Sequence, residues 1–134
     1  MIGIVDYISK NYSGKMVEVG IGYFFSISDS LEEKGFRVVR VDVRKTREDV
    51  VVDDICNPDF EIYRNASLIL SVRPPMEIQK CIVEIGEKTG CDVIIIPLKN
   101  EIIDGGRLEN YRGISFFVFT PQSQTDFRER RQIP

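Results

Sequence analysis

The chain of 134 residues contains no histidine and only three cysteines. Without histidine it lacks the usual general base and the commonest transition-metal ligand. Cys56, Cys81 and Cys91 are odd in number, widely spaced and without a CxxC pair, which argues against a disulfide framework or a zinc site and favours a cytoplasmic protein with reduced thiols. Cys81 is expected to lie on a helix and to face the hydrophobic core, and Cys56 is a candidate reactive thiol.

Long apolar runs are also absent. No stretch of the sequence approaches the ~20 consecutive apolar residues that a membrane-spanning helix needs, and the N-terminus lacks the pattern of a secretory signal. The net charge is only −3, from 21 acidic and 18 basic residues. This balance argues against nucleic-acid binding by the whole fold, so we expect neither a membrane nor a nucleic acid as a partner.

The hydrophobic residues that are present, 43% of the chain, predict strands alternating with helices. This alternation indicates a three-layer α/β/α Rossmann-like fold with a mostly parallel sheet. The last strand follows a loop instead of a helix, so we expect it to run antiparallel at one edge, and the sheet to be reduced at its C-terminal edge. Residues 1–120 form the predicted domain, and 121–134 a polar, mobile tail.

The predicted helices cover residues 2–11, 25–34, 61–64 (one turn) and 77–88. The predicted strands cover residues 16–19, 36–43, 49–52, 68–72, 93–97 and 114–120, and residues 100–113 are a predicted loop.

A glycine pair, Gly20 and Gly22, follows the first predicted strand. In parallel α/β sheets, ligands bind beyond the carboxyl ends of the strands, where the strand order reverses. Glycine lets a ligand approach the backbone and tolerates positive φ, and the following helix directs its unpaired N–H groups to the same place. The pattern therefore predicts a nucleotide-like ligand. The alternative is a tight strand–helix turn in which both glycines serve packing only.

Acidic residues end the next two predicted strands. Asp42 lies about twenty residues after the glycine loop, where a carboxylate can accept both ribose hydroxyls of an adenosine-like ligand. Asp53 and Asp54 follow the third strand, and one of them can reach an adenine amino group. Alternatively, Asp42 is an ordinary solvated strand-end residue. Tyr23 and Phe24 beside the loop either stack on an adenine or pack in the core where the helix begins.

Residues 17–22, Val-Glu-Val-Gly-Ile-Gly, resemble motif I of the class I S-adenosylmethionine-dependent methyltransferases. In that family an acidic residue precedes the first glycine by two positions, as Glu18 does here. Asp42 matches the acidic residue after the second strand, and residues 53–55 resemble the adenine-contacting segment. The whole chain is similar to a small uncharacterised archaeal family of Rossmann-like domains related to these methyltransferases. The resemblance implies S-adenosylmethionine as cofactor and the following cofactor-binding residues: Glu18, Gly20, Gly22, Asp42 and Asp54.

The chain departs from the methyltransferase pattern in three ways. Phe24 stands where the family often has a third glycine, and the insertions that bind substrates are missing. Arg73 stands where amine-methylating members have Asp or Asn before Pro-Pro, and an arginine cannot accept a hydrogen bond from an amine. Arg73 can instead bind a carboxylate or phosphate in bidentate fashion. Alternatively, it forms an ion pair with a carboxylate at the rim, from among Glu18, Asp42 and Asp54.

Two functions fit these observations. The first is a small methyltransferase-like domain that binds S-adenosylmethionine or a related adenosine compound; if it is catalytic, it acts by in-line methyl transfer, which depends on positioning more than on acid–base groups. The second is a non-catalytic binding or interaction module that kept the fold. A nicotinamide-dependent reductase ranks last, because no catalytic Tyr/Lys or His group can be placed.

Overall fold

The structure is a computed structural model that describes residues 2–99 and 101–121. The predicted tail therefore lies outside the described residues, except for Pro121. Most predicted elements are confirmed with boundaries shifted by one or two residues. The helices are α1 (Ile2–Asn11), α2 (Ser26–Glu33) and α3 (Met76–Thr89), with a 3-10 helix at Phe60–Tyr63. The strands are β1 (Lys15–Val19), β2 (Arg37–Asp42), β3 (Val50–Val52), β4 (Ala66–Val72), β5 (Asp92–Ile96), β6 (Arg107–Tyr111) and β7 (Ile114–Phe119).

All seven strands form one sheet in the order β3-β2-β1-β4-β5-β7-β6. Strands β1 to β5 pair in parallel, whereas β7 pairs antiparallel with both β5 and β6. The predicted mostly parallel sheet is thus confirmed. Chain order runs outward in opposite directions from β1 and β4, so these two strands flank the point where the strand order reverses. Ligands of such sheets bind at the carboxyl ends of strands beside this point.

The sheet is covered on both faces, because β-strand side chains alternate in direction. In β4, Leu68 and Leu70 pack on the core formed with α1 and α2, whereas Ile69 packs on the core formed with α3. All three side chains are completely buried. The three-layer α/β/α arrangement follows from this alternation.

The prediction of a loop over residues 100–113 is wrong from Arg107 onward, where the edge strand β6 begins. Consequently β7 is antiparallel, as predicted, but does not form the edge. A two-residue turn joins the strands, with Arg112 at φ 50° and Gly113 at φ 83°. Positive φ at both central residues is typical of a type I′ hairpin turn, whose backbone twist matches the right-handed twist of the two flanking strands. The strand has the polar sequence RLENY and is half exposed, so it lacks the apolar signal of the central strands.

The covering of the sheet is incomplete. Strand β2 leads to β3 through residues 43–49 without a helix, and residues 97–99 and 101–106, between β5 and β6, contain none either. No helix in the described ranges is both long enough and apolar enough to cross a lipid bilayer.

A close contact between α3 and β5 supplies a first testable prediction. A Cβ on Gly86 would lie 2.9 Å from the carbonyl oxygen of Cys91 and closer still to the Val93 side chain. Backbone cannot move away as a flexible side chain can, so Gly86→Ala should lower the free energy of unfolding by about 1–3 kcal/mol, despite the better helix propensity of alanine. Urea unfolding measures this effect. Lys80→Ala, on the exposed side of the same helix, is the control and should change it by less than about 0.5 kcal/mol.

Candidate functional site

A cavity of about 340 Å³ opens at the carboxyl ends of β1 and β2, beside the beginning of α3. Gly20, Gly22, Asp42 and Asp54 line it, as do Pro75, directly before α3, and Ile78 on α3. The structure therefore brings together four of the five residues that the sequence assigns to a cofactor. Glu18 is the fifth and does not line the cavity.

Both glycines of the loop have left-handed backbone, with φ +64° at Gly20 and +57° at Gly22. A side chain would be strained at either position. Apart from its two chain neighbours, nothing described lies within 4 Å of where a Cβ on Gly22 would be. Backbone conformation, not packing, therefore accounts for glycine at position 22.

Asp42 fixes the conformation of the glycine loop. It is 7% exposed, so the alternative of a solvated strand-end residue is wrong. Its Oδ2 accepts a hydrogen bond of 2.8 Å from the N–H of Gly22, and its Oδ1 accepts one of 3.0 Å from the N–H of Arg44. The hydroxyl of Thr46 donates to the carbonyl of Gly22 at 2.6 Å. Each carboxylate oxygen has a second acceptor position that these hydrogen bonds do not use.

The two aromatic residues after the loop leave the cavity open. Tyr23 is 73% exposed and Phe24 is 38% exposed, and neither lines the cavity. The alternative in which Tyr23 and Phe24 pack in the core is therefore wrong for Tyr23, and Phe24 is only partly buried. Its ring lies 5.9 Å from the guanidinium carbon of Arg44, a residue that does line the cavity.

Of the two neighbouring aspartates, Asp54 faces the cavity and Asp53 does not. The carboxylate of Asp54 accepts a hydrogen bond of 2.9 Å from the N–H of Cys56. The carboxylate of Asp53 accepts one from the N–H of Asp59, in the loop that precedes the 3-10 helix. The structure thus distinguishes two positions that the sequence left equivalent.

Glu18 lies beneath the glycine loop and is 1% exposed. Its Oε1 has no hydrogen-bond partner among the described residues. Arg40 is its neighbour in the β1–β2 pairing, but the guanidinium donates instead to Ser28 and to the carboxylate of Asp29. Burial raises the pKa of Glu18 to about 8; the positive charge of Arg40 opposes this rise, and the carboxylate of Asp29 adds to it. Glu18 is therefore mostly protonated at neutral pH.

Arg73 directly follows β4 and is exposed, with a φ of 51°. Its N–H donates to the carbonyl of Ile96 at 2.7 Å. Throughout residues 2–99 and 101–121 its guanidinium has no ion-pair partner. The predicted alternative of an ion pair with Glu18, Asp42 or Asp54 is therefore wrong. A left-handed backbone is uncommon for a residue other than glycine, and Arg112 in the β6–β7 turn shares it.

The expectation of reduced thiols is wrong for two of the three cysteines. Cys56 and Cys81 form a disulfide with a Cα–Cα distance of 5.1 Å. It joins the loop after β3 to α3, so Cys56 is not a free reactive thiol and Cys81 is not a core thiol. Cys91 is free and buried, and burial raises the pKa of its thiol to about 12. The two bonded residues are 25 positions apart, and only the packing of α3 against the sheet brings them together.

The sheet order and the glycine loop at the reversal point give this chain a Rossmann-like α/β fold of the methyltransferase-like type. More particularly, the chain belongs to the uncharacterised protein family UPF0146, whose family model matches residues 1–120. This membership agrees with the predicted resemblance to an archaeal family of Rossmann-like domains.

Two relatives illustrate the family. The UPF0146 protein of Archaeoglobus fulgidus is 43% identical over 122 residues, which cover 88% of this chain and 93% of the relative. The UPF0146 protein of Pyrococcus horikoshii is 33% identical over 131 residues, covering 90% of this chain and all of the relative.

Three solved structures are similar to this chain. A hypothetical protein of Thermus thermophilus has a TM-score of 0.60 at 14% identity, covering 87% of this chain and 82% of its own. The antibiotic-resistance methyltransferase Kmr has a TM-score of 0.58 at 10% identity, covering 87% and 90%. An S-adenosyl-L-methionine methyl transferase of Silicibacter pomeroyi has a TM-score of 0.56 at 13% identity, covering 90% and 88%. At these identities the likeness shows the fold alone.

Proposed function

We propose that the cavity binds S-adenosylmethionine or a related adenosine compound. One observation carries the proposal: Gly20, Gly22, Asp42 and Asp54, which the sequence assigns to such a ligand, line a single cavity beside the reversal point of the sheet. The volume of about 340 Å³ lies within the range of small-molecule sites. The open space beside Gly22 leaves room for a ligand at the backbone.

Each lining residue has a proposed contact. Asp42 accepts hydrogen bonds from the ribose hydroxyls through the acceptor positions that the loop leaves free. Asp54 accepts one from the adenine amino group. Gly20 and Gly22 let the ligand approach the loop backbone. Glu18 supports the loop from below without touching the ligand, because it is buried and does not line the cavity.

Arg73 is proposed to bind the carboxylate or phosphate of a second substrate or of the ligand itself. Its guanidinium is exposed and has no carboxylate partner in the described part of the chain, so it is available for bidentate binding of an anion. S-adenosylmethionine, when bound, supplies an activated methyl group. The protein's contribution to its transfer is alignment of the acceptor with that group. Arginine offers no acceptor for a substrate amine, which favours an anionic substrate.

A binding module without catalysis is the second candidate. The incomplete helical layer over the sheet favours this candidate, because residues 97–99 and 101–106, between β5 and β6, contain no helix that could help to bind a substrate. Both candidates predict ligand binding, and they differ in methyl transfer.

We propose a cytoplasmic location for either function. The disulfide is compatible with that location, because intracellular proteins of hyperthermophilic archaea are often rich in disulfides, and the relatives are archaeal.

Titration calorimetry tests the proposal. We expect S-adenosylmethionine and S-adenosylhomocysteine to bind with dissociation constants below about 1 mM and to raise the melting temperature by mass action. NAD should bind at least about tenfold more weakly, because the dinucleotide pattern has glycine or alanine where Phe25 stands here and because Glu18 matches the methyltransferase motif. If neither adenosyl compound produces heat or a thermal shift at millimolar concentration, the proposal is wrong.

A further inference from the structure

The disulfide connects the two sides of the cavity. Cys56 follows Asp54 and Ile55, which line one side. Cys81 lies on α3, one turn after Ile78, which lines the other side. The Cys56–Cys81 bond therefore ties the proposed adenine side of the site to the helix that faces it.

The segment 54–57 has few other attachments. The N–H of Cys56 donates to the Asp54 carboxylate and the N–H of Asn57 donates to the Asp54 carbonyl, so both bonds are internal to the segment. In the described part of the chain, no hydrogen bond joins this segment to α3. Among the described residues, the remaining anchors are the disulfide and the buried side chain of Ile55, which belongs to the same hydrophobic core as Ile82 and Ile85 of α3. Local stability follows the number of such attachments.

We propose that the Cys56–Cys81 disulfide is a positioning crosslink that holds Asp54 at the adenine side of the ligand site, so that opening the bond lowers the affinity for the adenosyl ligand. This inference rests on the proposed function. Cys56 is exposed, so a dithiol can reach the bond. Two electrons and two protons pass from the dithiol, which becomes a cyclic disulfide, and Cys56 and Cys81 become thiols.

The experiment compares the oxidised full chain, the same protein reduced with dithiothreitol, and the double variant Cys56→Ser/Cys81→Ser. Mass spectrometry after alkylation of the unreduced, denatured protein should show a single free thiol, at Cys91. Amide hydrogen exchange is expected to become at least about fivefold faster at residues 54–57 on reduction. The amides of β1 and β2 should keep their rates.

Affinity for S-adenosylhomocysteine is measured at a temperature at which circular dichroism shows all forms fully folded, which separates positioning from global stability. We expect it to fall about three- to tenfold on reduction and to return on reoxidation. The double variant should match the reduced protein and should not respond to dithiothreitol.

The outcomes are separable. Three alkylated cysteines without reductant, unchanged exchange at residues 54–57, or equal affinity of the oxidised and reduced forms would each overturn the crosslink's role while leaving the ligand site intact. Absence of binding by the oxidised protein would instead overturn the proposed function, and this inference with it.

Discussion

Asp42→Ala is expected to weaken binding of S-adenosylhomocysteine at least about tenfold, because a hydrogen bond to a charged group contributes about 1.5–3 kcal/mol and the ribose would lose more than one. The variant also leaves the N–H groups of Gly22 and Arg44 without their carboxylate acceptor. The glycine loop then loses the side chain that fixes it, so ligand binding must also order the loop.

The fold itself should survive this substitution. Among the described residues, the carboxylate of Asp42 forms hydrogen bonds with loop backbone, while the sheet is held by completely buried residues such as Val41 and Ile69. We expect a loss in unfolding free energy of about 1–2 kcal/mol, measured by urea unfolding, with an unchanged circular dichroism spectrum.

Two further variants sharpen the Asp42 test. Asp42→Asn keeps one acceptor oxygen and should lie between wild type and alanine in affinity. Glu48→Ala removes an exposed carboxylate from the same β2–β3 connection and should leave affinity unchanged. Wild-type affinity in Asp42→Ala would show that the ribose assignment is wrong.

Glu18 should make the protein less stable as pH rises. Its pKa is about 8 in the folded chain against an ordinary value of 4.5, so between these values the folded state binds more protons than the unfolded state. The free energy of unfolding therefore falls by about 1.4 kcal/mol for each pH unit across this window. The favourable effect of the buried neutral carboxyl is full below the ordinary pKa and is lost as pH passes about 8.

Glu18→Gln isolates this effect because glutamine has similar shape and no titration. Urea unfolding at about pH 5 and about pH 8.5 should show the wild type losing roughly 3–4 kcal/mol relative to the variant. The comparison is made on the difference between the two pH values, so a constant cost of the buried amide cancels. Glu48→Gln, an exposed control, should follow the wild type. Parallel pH profiles for wild type and Glu18→Gln would contradict the burial of an ionisable, unpartnered carboxyl.

Much of the fold could be predicted because its elements carry strong local patterns. The apolar spacing in Ile2–Asn11 and the continuous apolar run in β4 correspond to buried faces that burial alone explains. Strand β6 could not be found in this way. Its polar residues gain little from burial, and it forms because β7 offers an unpaired edge and the Arg112–Gly113 turn closes the hairpin.

The residues of the candidate site likewise fall into two groups: those that the sequence identifies and those whose position only the structure shows. Gly20, Gly22 and Asp42 could be selected from the sequence, since each follows a recognisable strand and parallel strands end at one edge of the sheet. The sequence could not show that Asp54 and not Asp53 faces the cavity, because the two are adjacent aspartates and only the direction of each side chain distinguishes them. The free guanidinium of Arg73 and the position of Glu18 outside the cavity likewise depend on side-chain directions that no spacing specifies.

The sequence by itself determined the alternation of strands and helices and the glycine loop after β1, because hydrophobic period and glycine conformation act over a few neighbouring residues. Only the tertiary structure decided the Cys56–Cys81 bond, the pKa of Glu18 and the shape of the cavity. Each of these depends on distances between residues far apart in the chain and on exclusion of water, which arise when α2 and α3 pack on the two faces of the sheet.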